Sequence, residues 1–300
     1  MSKNLNKTLE ENSIYDNVTI EDSENEISLI LNSDLKKSVM IVEGISDFQF
    51  WENFMDKDHV EILESMGGKF QIDSIIENTK NSRIFGIRDR DYEEIISERI
   101  FLYDYNCLEI MLINSRIVFE SLCKEYYFGS ENIETLKLNV FKELKYLSII
   151  RMHNSKEGLR IKLESIVDSC YENNKINNIK LIKEIERRIK EEIDYKTKKK
   201  FDDEFLKEWN EEEYLNFTRG HDYIELLTKI FNENRERLIP KIDKKGKIHY
   251  KETKNKEKRV KFIEDDARKF FNFEELKKTK IFSLVSEYEQ NHNLTIFIKE

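Results

Sequence analysis

Residues 37–55, KSVMIVEGISDFQFWENFM, decide the fold. The four apolar residues Val39–Val42 are followed at once by the polar turn Glu43–Gly44. A short apolar run of this kind predicts a buried strand. Apolar residues then recur at spacings of three and four from Phe48 to Met55, which predicts a helix with Ser46 as its N-cap. The stretch therefore predicts a strand, a turn and a helix.

The same order of strand, turn and helix continues along the chain. Further strands are predicted at Val60–Leu63, Arg83–Ile87 and Arg99–Tyr103. Two helices are predicted from apolar periodicity, one that follows Gly67-Gly68-Lys69 with Phe70, Ile72, Ile75 and Ile76 on its apolar face, and one long helix from Leu108 to Leu122. Short apolar runs that alternate with helical periodicity are typical of βαβ units and a parallel sheet.

Beyond Tyr127 the strand signals stop and the sequence predicts helices, with Leu294–Ile298 at the end as either a short strand or coil. The predicted helices carry the isoleucine stripe Ile179–Ile193 closed by Lys196–Lys200, the segment that opens at Gly220-His221-Asp222 and runs toward Pro240, and Phe271–Leu284. Three regions follow from these patterns: an acidic lead-in at 1–34, an α/β domain at 35–127 and a mostly α-helical domain at 128–300.

Composition excludes several classes of protein. With 39% hydrophobic and 11% aromatic residues, the 300 residues can form a core, so a disordered chain is excluded. The 8 glycines and 1 proline are too few for the turns of an all-β fold. Three cysteines without a C-x-x-C pair exclude a cysteine zinc site and a disulfide scaffold. No apolar run reaches the roughly 20 residues of a membrane span, so we expect a cytoplasmic protein without a membrane partner.

Charge is distributed unevenly along the chain, whose net charge is -9. Residues 1–34 hold eight acids and two lysines, whereas residues 241–262 hold ten Lys and Arg and three acids. The basic stretch predicts contact with nucleic-acid phosphates through Lys244, Lys245 and Lys247. A solvated loop is the alternative interpretation of the same composition.

Acidic residues follow the predicted strands. Glu43, Asp89, Asp91 and Asp104 all fall at carboxyl ends of parallel strands, where ligands of such sheets bind. Because strand side chains alternate, Asp89 and Asp91 share a face and can turn toward one Mg²⁺ or Mn²⁺ ion, which oxygen ligands hold. Glu43 can bind metal or move a proton. Helix capping by these acids is the alternative.

The two acidic motifs resemble the Toprim domain of topoisomerases, primases and nucleases. The resemblance is carried by Ile41–Asp47, with Glu-Gly after a strand, and by Phe85–Asp91, with Asp-x-Asp 46 residues later. More narrowly, residues 36–125 resemble overcoming-lysogenization-defect-type nucleases and the domain-of-unknown-function family that includes AriB, the effector of PARIS anti-phage systems. This resemblance implies a Toprim-type, Rossmann-like parallel sheet flanked by helices, with a mostly α-helical domain after it.

The resemblance also implies a function and further site residues. It implies a metal-dependent nuclease with Glu43, Asp89 and Asp91 as catalytic and metal-binding residues, and with Asp47 and Glu109 helping to hold a second ion. If Asp47 and Glu109 are instead solvated helix residues, a one-ion site remains. The implied substrate is RNA, in particular transfer RNA, and the implied partner is a separately encoded ABC-type ATPase that restrains or delivers the protein. After release we expect a homodimer. A DNA-nicking nuclease and a non-catalytic Toprim-like assembly module remain alternatives.

Two residues outside the acidic motifs are candidates on their chemistry alone. Lys69 can neutralise phosphate charge in a transition state, although a lysine after two glycines is equally compatible with a surface position. His221 either satisfies the start of its helix or contacts the nucleic-acid substrate.

Overall fold

A computed structural model describes residues 20–93, 97–159, 161–172, 175–190, 192–234, 236–242, 248–254 and 257–298. These residues fall into two compact units. The first unit contains described residues within 20–89, 97–103 and 277–298, and the second contains those within 90–93 and 104–276. In the part of the chain that the structure describes, the helices lack the combination of length and apolar character needed to cross a bilayer.

The described elements run in the following order along the chain. The first unit contains α1 (Ile20–Ser33), β1 (Ser38–Val42), α2 (Ile45–Trp51), β2 (Val60–Glu64), α3 (Gly68–Asn78), β3 (Ile84–Arg88) and β4 (Ile100–Leu102). The second unit contains α4 (Leu108–Asn114), α5 (Arg116–Tyr126), α6 (Ile133–Glu157), α7 (Ile166–Cys170), β5 (Tyr171–Glu172), β6 (Lys175–Ile176), α8 (Asn178–Ile189), α9 (Tyr195–Phe205), α10 (Glu211–Phe217), α11 (Gly220–Glu233), β7 (Glu236–Ile242), β8 (Ile248–Lys254), α12 (Val260–Phe270) and α13 (Phe273–Leu276). The last helix, α14 (Lys280–His292), returns to the first unit.

A four-stranded parallel sheet forms the centre of the first unit, with strand order β2-β1-β3-β4. Strands β1, β3 and β4 are buried along their whole length because helices cover both faces, as is usual for parallel sheets. Helices α1 and α3 bury Ile27, Leu31, Ile72 and Ile76 against the sheet. The predicted α/β class, with a parallel sheet flanked by helices and a helical remainder, is confirmed.

The end of the chain completes the first unit. The ring of Tyr288 on α14 lies 5.9 Å from that of Phe85 and 5.5 Å from that of Phe101. Its hydroxyl donates a hydrogen bond of 2.6 Å to the carbonyl oxygen of Ser82. Phe297 pairs with Met55 in an isolated antiparallel bridge. Residues distant in sequence thus cover the sheet beside β3 and β4.

Two details of the first unit differ from the prediction. Ser46 is not the N-cap of α2, because the helix starts at Ile45 with Gly44 as its N-cap. Phe70 is 77% exposed, and Gln71 occupies the predicted apolar face of α3 together with Ile72, Ile75 and Ile76. Gln71 can be buried on this face because its polar side chain is hydrogen-bonded inside the unit, where its Oε1 accepts a hydrogen bond of 2.7 Å from Gly67 N.

Two helices that were predicted as continuous in the second unit are each divided into two. The long helix Leu108–Leu122 is in fact α4 and α5, separated by Ser115, whose side chain caps α5 by accepting from Val118 N. The helix with the isoleucine stripe ends at Ile189, followed by left-handed Lys190. Lys196–Lys200 therefore lie in the separate helix α9, which Asp194 caps by accepting from Thr197 N.

The second half of the chain also contains strands that were not predicted. Hairpins β5-β6 and β7-β8 are antiparallel, and Pro240 lies in β7 rather than after a helix. Helix α11 begins at Gly220 as predicted but ends at Glu233. The single helix predicted over Phe271–Leu284 is wrong, because α13 ends at Leu276 and Thr279 caps a new helix, α14.

Candidate functional site

The sheet of the first unit brings two of the predicted acids together. Strands β1 and β3 are neighbours in parallel register, with Val42 opposite Ile87. Glu43 and Asp89 therefore emerge at the same edge, one and two residues beyond this pair. The backbone N–H of Asp89 donates to Oε2 of Glu43 at 3.3 Å. The juxtaposition is a direct consequence of strand pairing, and it lies where parallel sheets bind ligands.

The glycine turn after β2 adjoins the same carboxylate. Gly68 has φ +60°, a left-handed conformation that favours glycine, and a Cβ built there would lie 3.9 Å from Oε1 of Glu43. The turn is held because Ser65 Oγ donates to the Gly68 carbonyl at 2.8 Å. Lys69 follows on the first turn of α3, and its ammonium lies 5.7 Å from the ring centre of Phe70.

Asp47 is tied into the core of the first unit. The Tyr103 hydroxyl donates to Asp47 Oδ1 at 2.6 Å and accepts from Trp51 Nε1 at 3.0 Å. Burial, followed by the negative charges of Asp47 and Asp89, raises the pKa of Tyr103 well above its ordinary value, so this hydroxyl remains a donor. Sequence reasoning missed Tyr103, whose only signal was a hydroxyl-bearing aromatic at the end of a buried strand.

A buried ion pair fixes the backbone that leads to Asp89. The guanidinium of Arg88 is inaccessible to solvent and forms two hydrogen bonds with Asp73, of 2.9 Å from Nε and 3.3 Å from Nη2. Its Nη1 also donates to the carbonyl oxygen of Asp89 at 3.0 Å. Because the planar guanidinium pairs with both carboxylate oxygens, the two side chains are held in one relative orientation. Neither partner was predicted to have a role at the site.

The remaining predicted acids belong to the second unit. Asp91 and Tyr92 have left-handed backbones, with φ 47° and 69°, which non-glycine residues rarely adopt. This turn is held by Asn106, whose carbonyl accepts from Arg90 N at 3.0 Å and from Asp91 N at 3.4 Å. Residues with a strained backbone conformation of this kind are often found at functional sites. Asp104 and Glu109 lie in the same unit, Glu109 in the first turn of α4.

Gly220 allows α11 to approach Glu109 closely. A Cβ built on Gly220 would lie 2.6 Å from both Cys107 Sγ and Glu109 Cβ, and 2.7 Å from Glu109 Oε2. The Gly220 N–H donates to the Cys107 sulfur at 3.2 Å. The absence of a side chain at this position is therefore a condition for the packing around Glu109.

Gly220→Ala should destabilise the protein by about 1–3 kcal/mol, the usual cost of overpacking. The sign of this change in stability is informative, because replacing glycine with alanine within a helix otherwise stabilises a protein by roughly 0.5–1 kcal/mol. Urea unfolding followed by circular dichroism measures the change. Cys107→Ala in the same chain should recover part of the loss, since it removes one of the colliding atoms. A stabilising Gly220→Ala substitution would contradict the packing described for α11.

His221 does not cap its helix, because the N-cap of α11 is Arg219. Its Nδ1 lies 3.1 Å from Oε1 of Glu264 on α12. The hydrogen bond to Glu264 raises the pKa of His221 against the opposing effect of desolvation. The adjacent Asp222 is buried and pairs with Arg151, whose Nη2 donates to Asp222 Oδ1 at 2.7 Å. The Gly-His-Asp patch thus joins α11 to three different neighbours.

The His221–Glu264 pair should stabilise the protein more at acidic than at alkaline pH. The pKa of His221 is raised in the folded state, so its contribution is complete below the unfolded value of about 6.5 and is lost as pH rises through the folded value. We expect His221→Gln to lower the melting temperature by on the order of 1–3 °C at acidic pH and less at alkaline pH. Equal losses at both pH values would show that His221 does not act through its charge.

The acids of the first unit have the chemistry of a magnesium site but do not form a closed cage. Among the described residues, no three His, Cys, Asp or Glu side chains are grouped so that they could hold a metal ion. Mg²⁺ is commonly bound through one or two carboxylates, with water and substrate phosphates completing its shell. Glu43 and Asp89 fit this type of site. The other predicted contact residues, Lys244, Lys245 and Lys247, lie outside the described residues.

Comparisons with known proteins add no further assignment. No protein-family model matches the chain, and no curated protein is significantly similar to it.

Proposed function

We propose that the protein is a metal-dependent Toprim-type nuclease that cleaves RNA, in particular transfer RNA, as the effector of a bacterial anti-phage system. The observation that carries the proposal is the pairing of Glu43 and Asp89 at the carboxyl ends of β1 and β3, with Asp89 N bonded to Glu43 Oε2 at 3.3 Å. Two acids at the ends of adjacent parallel strands are suited to metal-assisted phosphate chemistry.

In this mechanism Glu43 and Asp89 would hold Mg²⁺ or Mn²⁺, and Asp47 of the same unit would be a further ligand, as the resemblance implies. When bound, the ion would supply charge stabilisation for the phosphate and would lower the pKa of water. Glu43 is positioned by the Asp89 amide and can accept a proton from the attacking water. Lys69, beside the Gly68 turn, contributes positive charge for the phosphate oxygens.

The proposed partner is an ABC-type ATPase encoded separately. A nuclease that cleaves essential RNA has to be restrained, and a charged surface suits a releasable interface because electrostatic complementarity governs association and specificity. Release would produce an active homodimer. Co-expression with the ATPase encoded beside it, followed by size-exclusion chromatography, tests this part, and recovery of an active, non-toxic protein free of any partner would contradict it.

Incubation of the purified protein with transfer RNA and with supercoiled plasmid in Mg²⁺ or Mn²⁺ tests the catalytic proposal. Cleavage of the RNA that is absent in EDTA and in the Glu43→Gln variant is the expected result. Nicking of the plasmid alone would identify a DNA nuclease. Cleavage of neither substrate, with or without the partner ATPase, would leave a non-catalytic module and would contradict the proposal.

A further inference from the structure

Phe70 is an exposed aromatic residue in a unit that otherwise covers its aromatic rings. It is 77% exposed. Every other aromatic residue of the first unit, within the part of the chain that the structure describes, is buried or half-buried. A ring that is left in water contributes little to the core, so its apolar surface remains available for contact with a ligand.

Phe70 lies beside the candidate site at the edge of the sheet. It is in the first turn of α3, two residues after Gly68. A Cβ built on Gly68 would lie 3.9 Å from Oε1 of Glu43. Because Cα atoms two residues apart in a helix are separated by about 5–6 Å, the ring is attached close to the carboxylate that we propose acts on phosphate.

Two further exposed apolar residues follow the strands at the same edge. Ile45 after β1 is 55% exposed, and Met66 after β2 is 47% exposed. Strands β1 and β2 are adjacent and parallel, with Val42 opposite Glu64, so the residues that follow them emerge at one end of the sheet. Exposed apolar surface that gathers in one region is typical of a binding site.

A cation lies next to the exposed ring. The ammonium of Lys69 is 5.7 Å from the ring centre of Phe70. An aromatic ring and an ammonium group side by side match the two parts of a nucleotide, because a base can stack on the ring while the ammonium neutralises the phosphate. An apolar segment of a protein would use the ring but not the ammonium, so the pair favours a nucleotide as the occupant.

We propose that Phe70 is a substrate-binding residue that stacks on an unpaired base of the RNA and directs the adjoining phosphate toward Lys69 and Glu43. The inference rests on the proposed nuclease function, which makes that phosphate the target of Glu43. Bases within a duplex are already stacked on one another, so a protein ring binds the faces of unstacked bases in single-stranded segments. Stacking tolerates every base, so Phe70 would select unpaired RNA without reading its sequence.

Stacking can be measured without cleavage by removing the bases from the ligand. Fluorescence anisotropy in EDTA compares a short oligouridine with an abasic oligomer that has the same ribose-phosphate backbone. The test variant is Phe70→Ala, while Phe70→Leu keeps an apolar side chain without a ring and Phe70→Trp keeps a ring. The matched control, Phe262→Ala, removes a phenylalanine that is 52% exposed in the second unit.

We expect Phe70→Ala to bind oligouridine about tenfold more weakly than wild type, within the range for one lost base stack. Wild type should bind the abasic oligomer equally weakly, and Phe70→Ala should weaken that binding no further. Phe70→Leu should behave like Phe70→Ala, Phe70→Trp should bind at least as tightly as wild type, and the control should be unchanged. Equal losses with both oligomers, no loss with oligouridine, or wild-type binding of neither oligomer would overturn the proposal.

Salt dependence separates the ring from the ammonium. Lys69→Gln should reduce the log-log salt slope of oligouridine binding by about 0.7, the value for one phosphate contact to a single strand. Phe70→Ala should leave the slope unchanged, because it removes no charge. An equal fall of the slope in both variants would contradict direct stacking. Phe70→Leu decides the question if circular dichroism shows that Phe70→Ala does not fold.

Cleavage assays keep failure of this inference distinct from failure of the proposed function. With RNA in Mg²⁺, Phe70→Ala should raise KM and leave kcat largely unchanged, because stacking binds substrate and transition state alike. Wild-type protein that binds oligouridine through Phe70 but cleaves no RNA would contradict the nuclease function and leave stacking supported. Cleavage by Phe70→Ala with an unchanged KM would overturn stacking and leave the nuclease function supported.

Discussion

Glu43→Gln and Asp89→Asn should each reduce RNA cleavage by at least about 100-fold, the lower range for loss of a general base or of equivalent charge, and leave the fold intact. Both substitutions keep the size of the side chain. Glutamine at position 43 also retains an oxygen that can accept the hydrogen bond from Asp89 N. Neither residue is part of the apolar core, so no cavity forms.

The measurement is the initial cleavage rate in Mg²⁺, with melting temperature recorded for each variant. Removal of one of two neighbouring negative charges should leave that temperature unchanged or slightly raised in the absence of metal, because like charges repel. Asp58→Asn, at an exposed position of the same unit, is the control and should cleave at the wild-type rate. Wild-type cleavage by Glu43→Gln would exclude Glu43 from the reaction.

The sequence predicted the parts of the site that depend on strand order. Val39–Val42 and Arg83–Ile87 are short apolar runs ending in acids, and a parallel sheet necessarily brings their carboxyl ends to one edge. Apolar periodicity located α2, α3, the segment of α4 and α5, α8 and α11, because each of these helices buries an apolar face, but α6 was not predicted. Their boundaries failed at Ser115 and Lys190, where a local cap or a left-handed residue ends a helix although the apolar pattern continues.

The supporting contacts could not be predicted, because they join residues distant in sequence. Tyr103 reaches Asp47 across 56 residues, and Tyr288 reaches Ser82 across 206. The hairpin β7-β8 was missed because the lysine-rich composition of this segment suggested a solvated loop, whereas its two strands pair in antiparallel register.

Asp73 should contribute more to the stability of the first unit than any acid at the sheet edge. Its partner Arg88 is fully buried, and a buried charge that loses its counter-ion is left with an uncompensated desolvation cost. Removal of one partner from such a pair costs about 3–5 kcal/mol. We expect a value near the lower end for Asp73→Ala, because the Asp73 side chain is 19% exposed and water can partly replace it.

Asp73→Ala can be measured in the first unit alone, because the chain has two tryptophans, and Trp51 lies in the first unit and Trp209 in the second. In a Trp209→Phe background, urea unfolding followed by Trp51 fluorescence should show a loss of about 3 kcal/mol for Asp73→Ala and less than about 0.5 kcal/mol for the exposed control Asp58→Ala.

Asp73→Leu/Arg88→Met, which replaces the pair with apolar residues, should recover most of this stability and still impair cleavage, because the Asp89 carbonyl loses the donor that positions it. Full stability of Asp73→Ala would contradict the role of the ion pair in the fold, and wild-type cleavage by the double variant would contradict its role in positioning Asp89.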